Sequence, residues 1–227
     1  MDNVTYGTVF EINQPPFHSG NWSKFLSGAD SRLKYVRVID GVASLCDKFV
    51  LIRFDLNRTI PDGFYLIDRR TLIKTKPPMS FGGTRYTWPN VEYPDIEAFN
   101  PDFATLSTLE KIDRSSVEEM MSVADRIQRQ EGDVCITPTG IRMRQYGRDS
   151  AFSYKQSFGF TPENLELHVR GRDFYVAMVE LLRYDYSYFM IRRINENSAC
   201  LVFGHTWKNC VLVSVNGMSK NDGQYLR

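Results

Sequence analysis

The sequence is poor in the side chains that catalysis most often uses. It has three histidines, His18, His168 and His205, far apart and with no fixed partner in sequence. Its four cysteines, Cys46, Cys135, Cys200 and Cys210, form no CxxC pair. Four scattered thiols in a chain of this size do not suggest a disulfide framework, so reduced, mostly buried thiols and a cytoplasmic setting are expected. No HExxH, GxSxG, Walker loop or GxGxxG occurs, which removes the usual signatures of zinc proteases, serine hydrolases and nucleotide enzymes. No apolar run approaches the ~20 residues of a membrane span, and Met1–Gln14 lacks the basic start and apolar stretch of a secretion signal. A soluble protein with no membrane partner is expected. An excess of one charge is also missing: 28 Lys+Arg face 27 Asp+Glu, for a net charge of +1. Any contact with nucleic acid must then come from a local basic face.

What is present fits a folded chain with a sizeable core. Hydrophobic residues are 42% and charged residues 24%, and 227 residues leave room for two domains. Val4 to Ile12 alternates weakly as a strand. Trp22, Phe25 and Leu26 suit one face of a short helix over 21–32. Residues 35–39 alternate around β-branched side chains and end at Asp40-Gly41, a strong hairpin signal. Ser44–Leu56 supplies the next strands, and Pro61-Asp62-Gly63 is a turn before a strand at Phe64–Ile67. Asp68 is placed to cap a short helix through Leu72 and Ile73 that ends before Pro77-Pro78. Residues 79–102 hold too many Pro and Gly for a long helix and read as one strand, Arg85–Trp88, and an extended connector.

The second half is clearer. Thr105–Ile112 reads as a strand. Ser115 and Glu118 have capping-box spacing, and Val117, Met120, Met121, Ala124 and Ile127 form the best helical stripe in the chain. Asp133–Thr137 and Gly140–Tyr146 read as a hairpin, and Phe152–Phe160 as another strand. Gly171–Arg183 is a second helix, with Phe174, Ala177, Met178, Leu181 and Leu182 on one face. Strands follow at Tyr188–Ile194, Ala199–Phe203 and Cys210–Val215, and Ser219–Arg227 reads as a loose polar end. The pattern amounts to an α+β chain of two similar halves.

Candidate chemistry is thin. Cys200, His205 and Cys210 are evenly spaced, but zinc sites usually use tight ligand pairs, so no metal and no cofactor are expected. Glu92, Asp95 and Glu97, or Glu118 and Glu119, are the acidic clusters that a metal-dependent nucleic-acid enzyme would use. The first set sits in the Pro-rich connector, and the second at a helix start, where the macrodipole alone favours acids. Basic residues recur on or beside each proposed helix: Lys24, Arg32 and Lys34; Arg69, Arg70 and Lys74; Arg114, Arg126 and Arg129; Arg170, Arg172 and Arg183. Such side chains can hold phosphates without reading bases. The plainer reading is a set of solvated helix faces.

The connector Val91-Glu92-Tyr93-Pro94-Asp95-Ile96-Glu97-Ala98-Phe99-Asn100-Pro101 resembles the aromatic-Pro-Asp segment that joins domains in bacterial sliding clamps. The Asp113-led helix, the Asp133–Arg144 hairpin, Phe158-Gly159-Phe160, the Phe174–Leu182 helix and the strands Ser198–Phe203 and Asn209–Ser214 follow in the family's order. The resemblance covers about 91–218 and is diffuse before that, so the first domain reads as abbreviated.

The resemblance implies a DNA sliding clamp of duplicated α+β domains, with sheets outside and helices lining a ring. It divides the chain into an N-terminal clamp-like domain (1–90), a connector (91–104) and a C-terminal clamp-like domain (105–227). It makes the protein a non-enzymatic processivity factor that encircles double-stranded DNA without sequence preference. Lys24, Arg69, Arg70, Lys74, Arg126, Arg129, Arg170 and Arg172 would contact DNA. DNA polymerase and clamp loader would dock through short apolar peptides in a pocket matching Tyr93, Pro94, Ile96, Phe99, Val211, Val213 and Met218. Two-domain length implies a homotrimer, or less readily a dimer, and a bacteriophage protein working in a bacterial cytoplasm. The alternatives are a clamp-fold decoy or adaptor that does not encircle DNA and, further off, the metal-dependent enzyme.

Overall fold

The computed structural model describes residues 6–11, 35–47, 49–57, 59–68, 71–75, 110–129, 132–137, 140–145, 148–154, 165–195, 198–215 and 217–220. The chain divides into two compact units, Met1–Asn100 and Pro101–Arg227. The division falls inside the segment 91–104 read as a connector.

The described part of the first unit is all strand: β1 (Val9–Glu11), β2 (Val36–Ile39), β3 (Val42–Cys46), β4 (Val50–Asp55), β5 (Gly63–Asp68) and β6 (Thr71–Thr75). Their order is β1-β6-β5-β2-β3-β4, with antiparallel neighbours. The Asp40-Gly41 turn forms as expected, with φ of 49° and 74°. Two central residues at positive φ match the twist of the flanking strands. Asp40 N–H donates to Asp62 Oδ1 at 2.9 Å, which ties this turn to the one before β5. Asp47 Oδ1 accepts the amides of Phe49 and Val50, both at 2.7 Å, and so shapes the β3–β4 turn. Val36, Val38, Leu45, Ile52, Phe54, Tyr65 and Leu72 are buried in this unit. The Tyr65 hydroxyl donates to the Pro61 carbonyl, which satisfies its polar end.

The helix expected over Asp68–Lys74 is absent. Those residues form the end of β5 and all of β6, paired from Asp68↔Thr71 to Phe64↔Thr75. Burying Leu72 in a two-residue alternation beside Ile67 outweighs the capping signal of Asp68. The expected helix over 21–32 and strand over 85–88 lie outside the described residues.

The second unit contains β7 (Glu110–Asp113), α1 (Arg114–Arg129), β8 (Asp133–Thr137), β9 (Gly140–Gln145), β10 (Arg148–Tyr154), β11 (Leu165–Arg170), α2 (Gly171–Leu181), β12 (Tyr186–Asn195), β13 (Ser198–Thr206), β14 (Asn209–Ser214) and β15 (Gly217–Lys220). It is a β-α-β-β-β unit used twice: β7-α1-β8-β9-β10, then β11-α2-β12-β13-β14. Each first strand crosses to the other half. β7 pairs with β12, and β11 pairs with β8. The strand orders are therefore β14-β13-β12-β7 and β10-β9-β8-β11-β15. Matching backbone bonds mark the exchange: Arg114 N–H donates to Asp185 O at 2.9 Å, and Gly171 N–H to Gly132 O at 3.0 Å. Each joins the first residue of a helix to the residue before the strand that receives its partner.

The two helices pack on each other and on the strands. Val117, Met120 and Ala124 of α1 are buried as the stripe requires, together with Val123, which the stripe omitted. In α2, Phe174, Ala177, Met178 and Leu181 are buried, and Phe174 meets Phe203 of β13 edge-on with ring centroids 6.1 Å apart. Phe203 stacks on Phe189 at 4.6 Å with an interplanar angle of 11°. Fully burying such side chains stabilises by about 1.5–3 kcal/mol each.

Three local expectations are corrected. The cap of α1 is Asp113, not Ser115: Asp113 Oδ1 accepts from Ser116 N–H at 2.8 Å and from Ser115 Oγ at 2.9 Å. Glu118 instead meets Arg114 Nε at 3.1 Å. A strand at 165–170, not foreseen, joins the two halves. Ser219 and Lys220 are not loose; they pair with Glu166 and Leu165 in β15.

Gly204 of β13 has φ of +144°, and a Cβ there would lie 2.4 Å from Asn209 O and 2.7 Å from Cys210 Cα. Both neighbours are backbone or backbone-attached and cannot swing aside. Gly204→Ala is expected to cost more than about 2 kcal/mol in urea unfolding, and an unchanged midpoint contradicts the β13–β14 approach. The hydrogen bonds to Asp113, that from the Ser116 amide above all, hold its carboxyl below the ordinary range. A carboxylate with a depressed folded pKa stabilises above its unfolded pKa of about 3.9 and loses that contribution as pH falls through the folded value. Asp113→Ala should therefore lower Tm at pH 7, with a gap to the wild type that closes at strongly acid pH.

Candidate functional site

Of the basic residues assigned to DNA contact in sequence, Arg126, Arg129 and Arg172 lie on the helices. Val117, Met120 and Ala124 are buried, while Arg126 falls outside the buried stripe and is exposed. Arg129 is the last residue of the same helix. Arg172, in the first turn of α2, is exposed. Arg170, just before it, is half-buried, with Nε held at 2.6 Å by Asp173 Oδ2. Asp173 is itself only 1% exposed, so Arg170 has a structural duty as well as a surface. Arg183, another cation beside α2, is not a surface group. Its guanidinium is buried against Glu180, and burial brings its pKa down to about 10.

Lys74 lies on strand β6 rather than on a helix, and its Nζ donates to Asp62 O at 3.3 Å. Lys24, Arg69 and Arg70 lie outside the described residues. Among the described candidates for DNA contact, the exposed cations on helices are therefore Arg126 on α1 and Arg172 on α2, two helices in mutual contact. Exposed guanidinium groups on packed helices suit phosphate contact, which fixes position without reading sequence.

Of the residues assigned to an apolar pocket, Val211 and Val213 lie on β14, with Cα partners Phe203 and Leu201 on β13. Strand alternation puts both on one face and Leu212 on the other. They are 4% and 0% exposed, so both are core residues of the described chain. Met218 lies on β15, opposite Leu167 of β11, in the other sheet. Tyr93, Pro94, Ile96 and Phe99 lie outside the described residues, as do Glu92, Asp95 and Glu97. Glu118 and Glu119 are exposed on the first turns of α1.

Two histidine environments were not legible in sequence. His205 sits among Tyr184, Tyr186 and Tyr188, with ring centroids at 4.5, 5.1 and 6.0 Å, and burial lowers its pKa. Cys200, His205 and Cys210 do not form one of the converging Cys, His and acid sets among the described residues. Among the described residues, the Cys, His and acid set whose ligand atoms lie within 4.8 Å of one another is Cys135, Glu166 and His168. Period-two alternation could have put Glu166 and His168 on one face. Nothing in sequence could have put β8 beside them. None of the four cysteines is in a disulfide, and all are buried. No described helix is long and apolar enough to cross a membrane.

No protein-family model and no curated protein matches the sequence. Solved structures do match. The Helicobacter pylori beta clamp bound to a DNA ligase peptide aligns with TM-score 0.52 and 12% identity, over 95% of this chain and 67% of that chain. The H. pylori beta clamp in complex with diflunisal gives TM-score 0.53 and 11% identity, over 95% and 68%. The DNA polymerase III subunit beta of Pseudomonas aeruginosa gives TM-score 0.51 and 12% identity, again over 95% and 68%. This chain thus spans about two thirds of the length of those proteins. At such low identity the likeness speaks for architecture, and it agrees with the doubled, strand-exchanged β-α-β-β-β unit: the chain has the fold of a DNA sliding clamp.

Proposed function

We propose that this chain is a DNA sliding clamp whose copies close into a ring around duplex DNA and tether a polymerase to it. The observation that carries this reading is the clamp architecture over 95% of the chain. Exposed Arg126 and Arg172 on the two packed helices support it, because phosphate contact from several arginines is sequence-blind and permits sliding. The near-zero net charge is compatible, since the basic residues need only be local. With two units per chain, the ring takes three copies. Tethering needs no bond to be made or broken, so the protein works without catalytic groups. One H. pylori clamp of this fold holds a DNA ligase peptide. Polymerase and loader are the corresponding partners here, bound through short apolar peptides.

Light scattering should give three times the 26.3 kDa chain mass. A strict monomer at the highest attainable concentration would sink the ring and leave the decoy reading. Replacing both Arg126 and Arg129 by Glu should weaken retention on circular duplex DNA by ~10-fold or more, with the log–log salt slope flattened by about 0.9 per lost phosphate contact. Unchanged retention, with an unchanged far-UV spectrum, would place the DNA against another face.

A further inference from the structure

The exchange of strands between the halves of the second unit brings three metal-binding side chains together at its seam. Cys135 lies on β8, in the first half. Glu166 and His168 lie on β11, in the second half but paired to β8 in the first. Cys135 and His168 are direct cross-strand partners. Glu166 is two residues before His168, so alternation returns it to the same face. Leu167, Val169, Val134 and Ile136 take the opposite face and are buried there.

The polar contacts are short and ordered. Cys135 Sγ is 3.3 Å from His168 Nδ1, and His168 Nε2 is 3.4 Å from Glu166 Oε1. The Cys135 residue is 0% exposed, and the side chains of His168 and Glu166 are 11% and 6% exposed. A thiol beside an imidazole that meets a carboxylate has the connectivity of a nucleophile, base and orienting acid. Burial argues against that use, because no substrate carbonyl can approach a sulfur with no exposed surface. A bare metal ion has no such difficulty.

We propose that Cys135, His168 and Glu166 bind a divalent ion of the zinc class. Thiolate, imidazole and carboxylate are a donor set that zinc accepts, and three protein ligands are the number used where a fourth position stays exchangeable. Zinc distances of about 2.3 Å to sulfur and about 2.0–2.1 Å to nitrogen put a tetrahedral S···N edge near 3.5 Å, close to the 3.3 Å between Cys135 Sγ and His168 Nδ1. Nδ1 is the ring nitrogen that binds, through its lone pair, with the proton on Nε2. Glu166 supplies one carboxylate oxygen, which turns from its place 3.4 Å from His168 Nε2 on loading; the three ligand atoms already lie within 4.8 Å of one another. On loading, the Cys135 S–H bond breaks, its proton leaves to water, and the sulfur lone pair forms the bond to the metal. Thiolate and carboxylate then balance the two positive charges. The ion would clip β11 to β8 and so lock the exchanged strand.

The test uses the full-length chain incubated with excess zinc, passed through a desalting column and assayed for metal by mass spectrometry. The wild type should hold about one zinc per chain, and Cys135→Ser and His168→Ala should each lower this by about ten-fold or more, whereas Cys200→Ser, which alters a buried thiol outside the cluster, should hold as much as the wild type. Cobalt loading of the wild type should add a thiolate-to-metal charge-transfer band that Cys135→Ser lacks. Zinc or cobalt loading should also raise the Tm of the wild type. The proposal is overturned if folded wild-type protein takes up no zinc and shows no cobalt–thiolate band. It is equally overturned if Cys135→Ser binds as much metal as the wild type. The wild-type arms decide the matter even if a variant fails to fold.

Discussion

The second unit depends on one constraint: each half must lend its first strand to the other. β7 cannot complete its ladder within its own half, and neither can β11. The bonds from Arg114 N–H to Asp185 O and from Gly171 N–H to Gly132 O fix the points where each strand gives way to its helix. Both helices therefore start at a defined place against the strands. Their buried faces, Val117, Met120 and Ala124 on one and Phe174, Ala177 and Met178 on the other, follow from that start. So do their exposed faces, which carry Arg126 and Arg172. The placement of positive charge is a consequence of strand exchange, not an independent feature of the helices.

The first unit keeps the same pairing rule with fewer parts. β1 pairs with β6 as β7 pairs with β12, and β5 pairs with β2 as β11 pairs with β8. Where the second unit inserts α2 between β11 and β12, the first passes from β5 to β6 across positions 69–70 alone. With no helix to hold them apart, β5 and β6 pair with each other. The unit's described strands then form one continuous order, in which Tyr65 and Leu72 are buried. Lys74, expected beside a helix, therefore lies on β6.

A sequence-blind clamp needs little chemistry and much geometry. A few of the described ionic groups are committed inside the fold. Arg170 is held by Asp173, and Arg183 is buried with Glu180. Buried ion pairs of this kind contribute little net stability once desolvation is counted, but losing one partner leaves a charge stranded. They hold the ends of α2 in place more than they strengthen it. The Cys135–His168–Glu166 cluster belongs to the same class of buried polar arrangements, at the β11–β8 seam, one of the two where the halves are interleaved.

The sequence by itself determined the local elements whose signals are short-range. The Asp40-Gly41 hairpin was legible because only a turn with two positive φ angles joins such strands so tightly. α2 was legible because its apolar stripe repeats at helical spacing, and most of α1 for the same reason. The likeness of the later elements to a clamp was legible from their order along the chain. Tertiary structure decided the rest. Whether Thr71–Thr75 is helix or strand depends on whether β5 and β1 lie on either side of it. Whether Val211 and Val213 form a surface or a core depends on the packing around β14, which buries both. Which residues meet His168 depends on β11 crossing to β8. These outcomes rest on contacts between residues distant in sequence, and neither periodicity nor spacing along the chain encodes them.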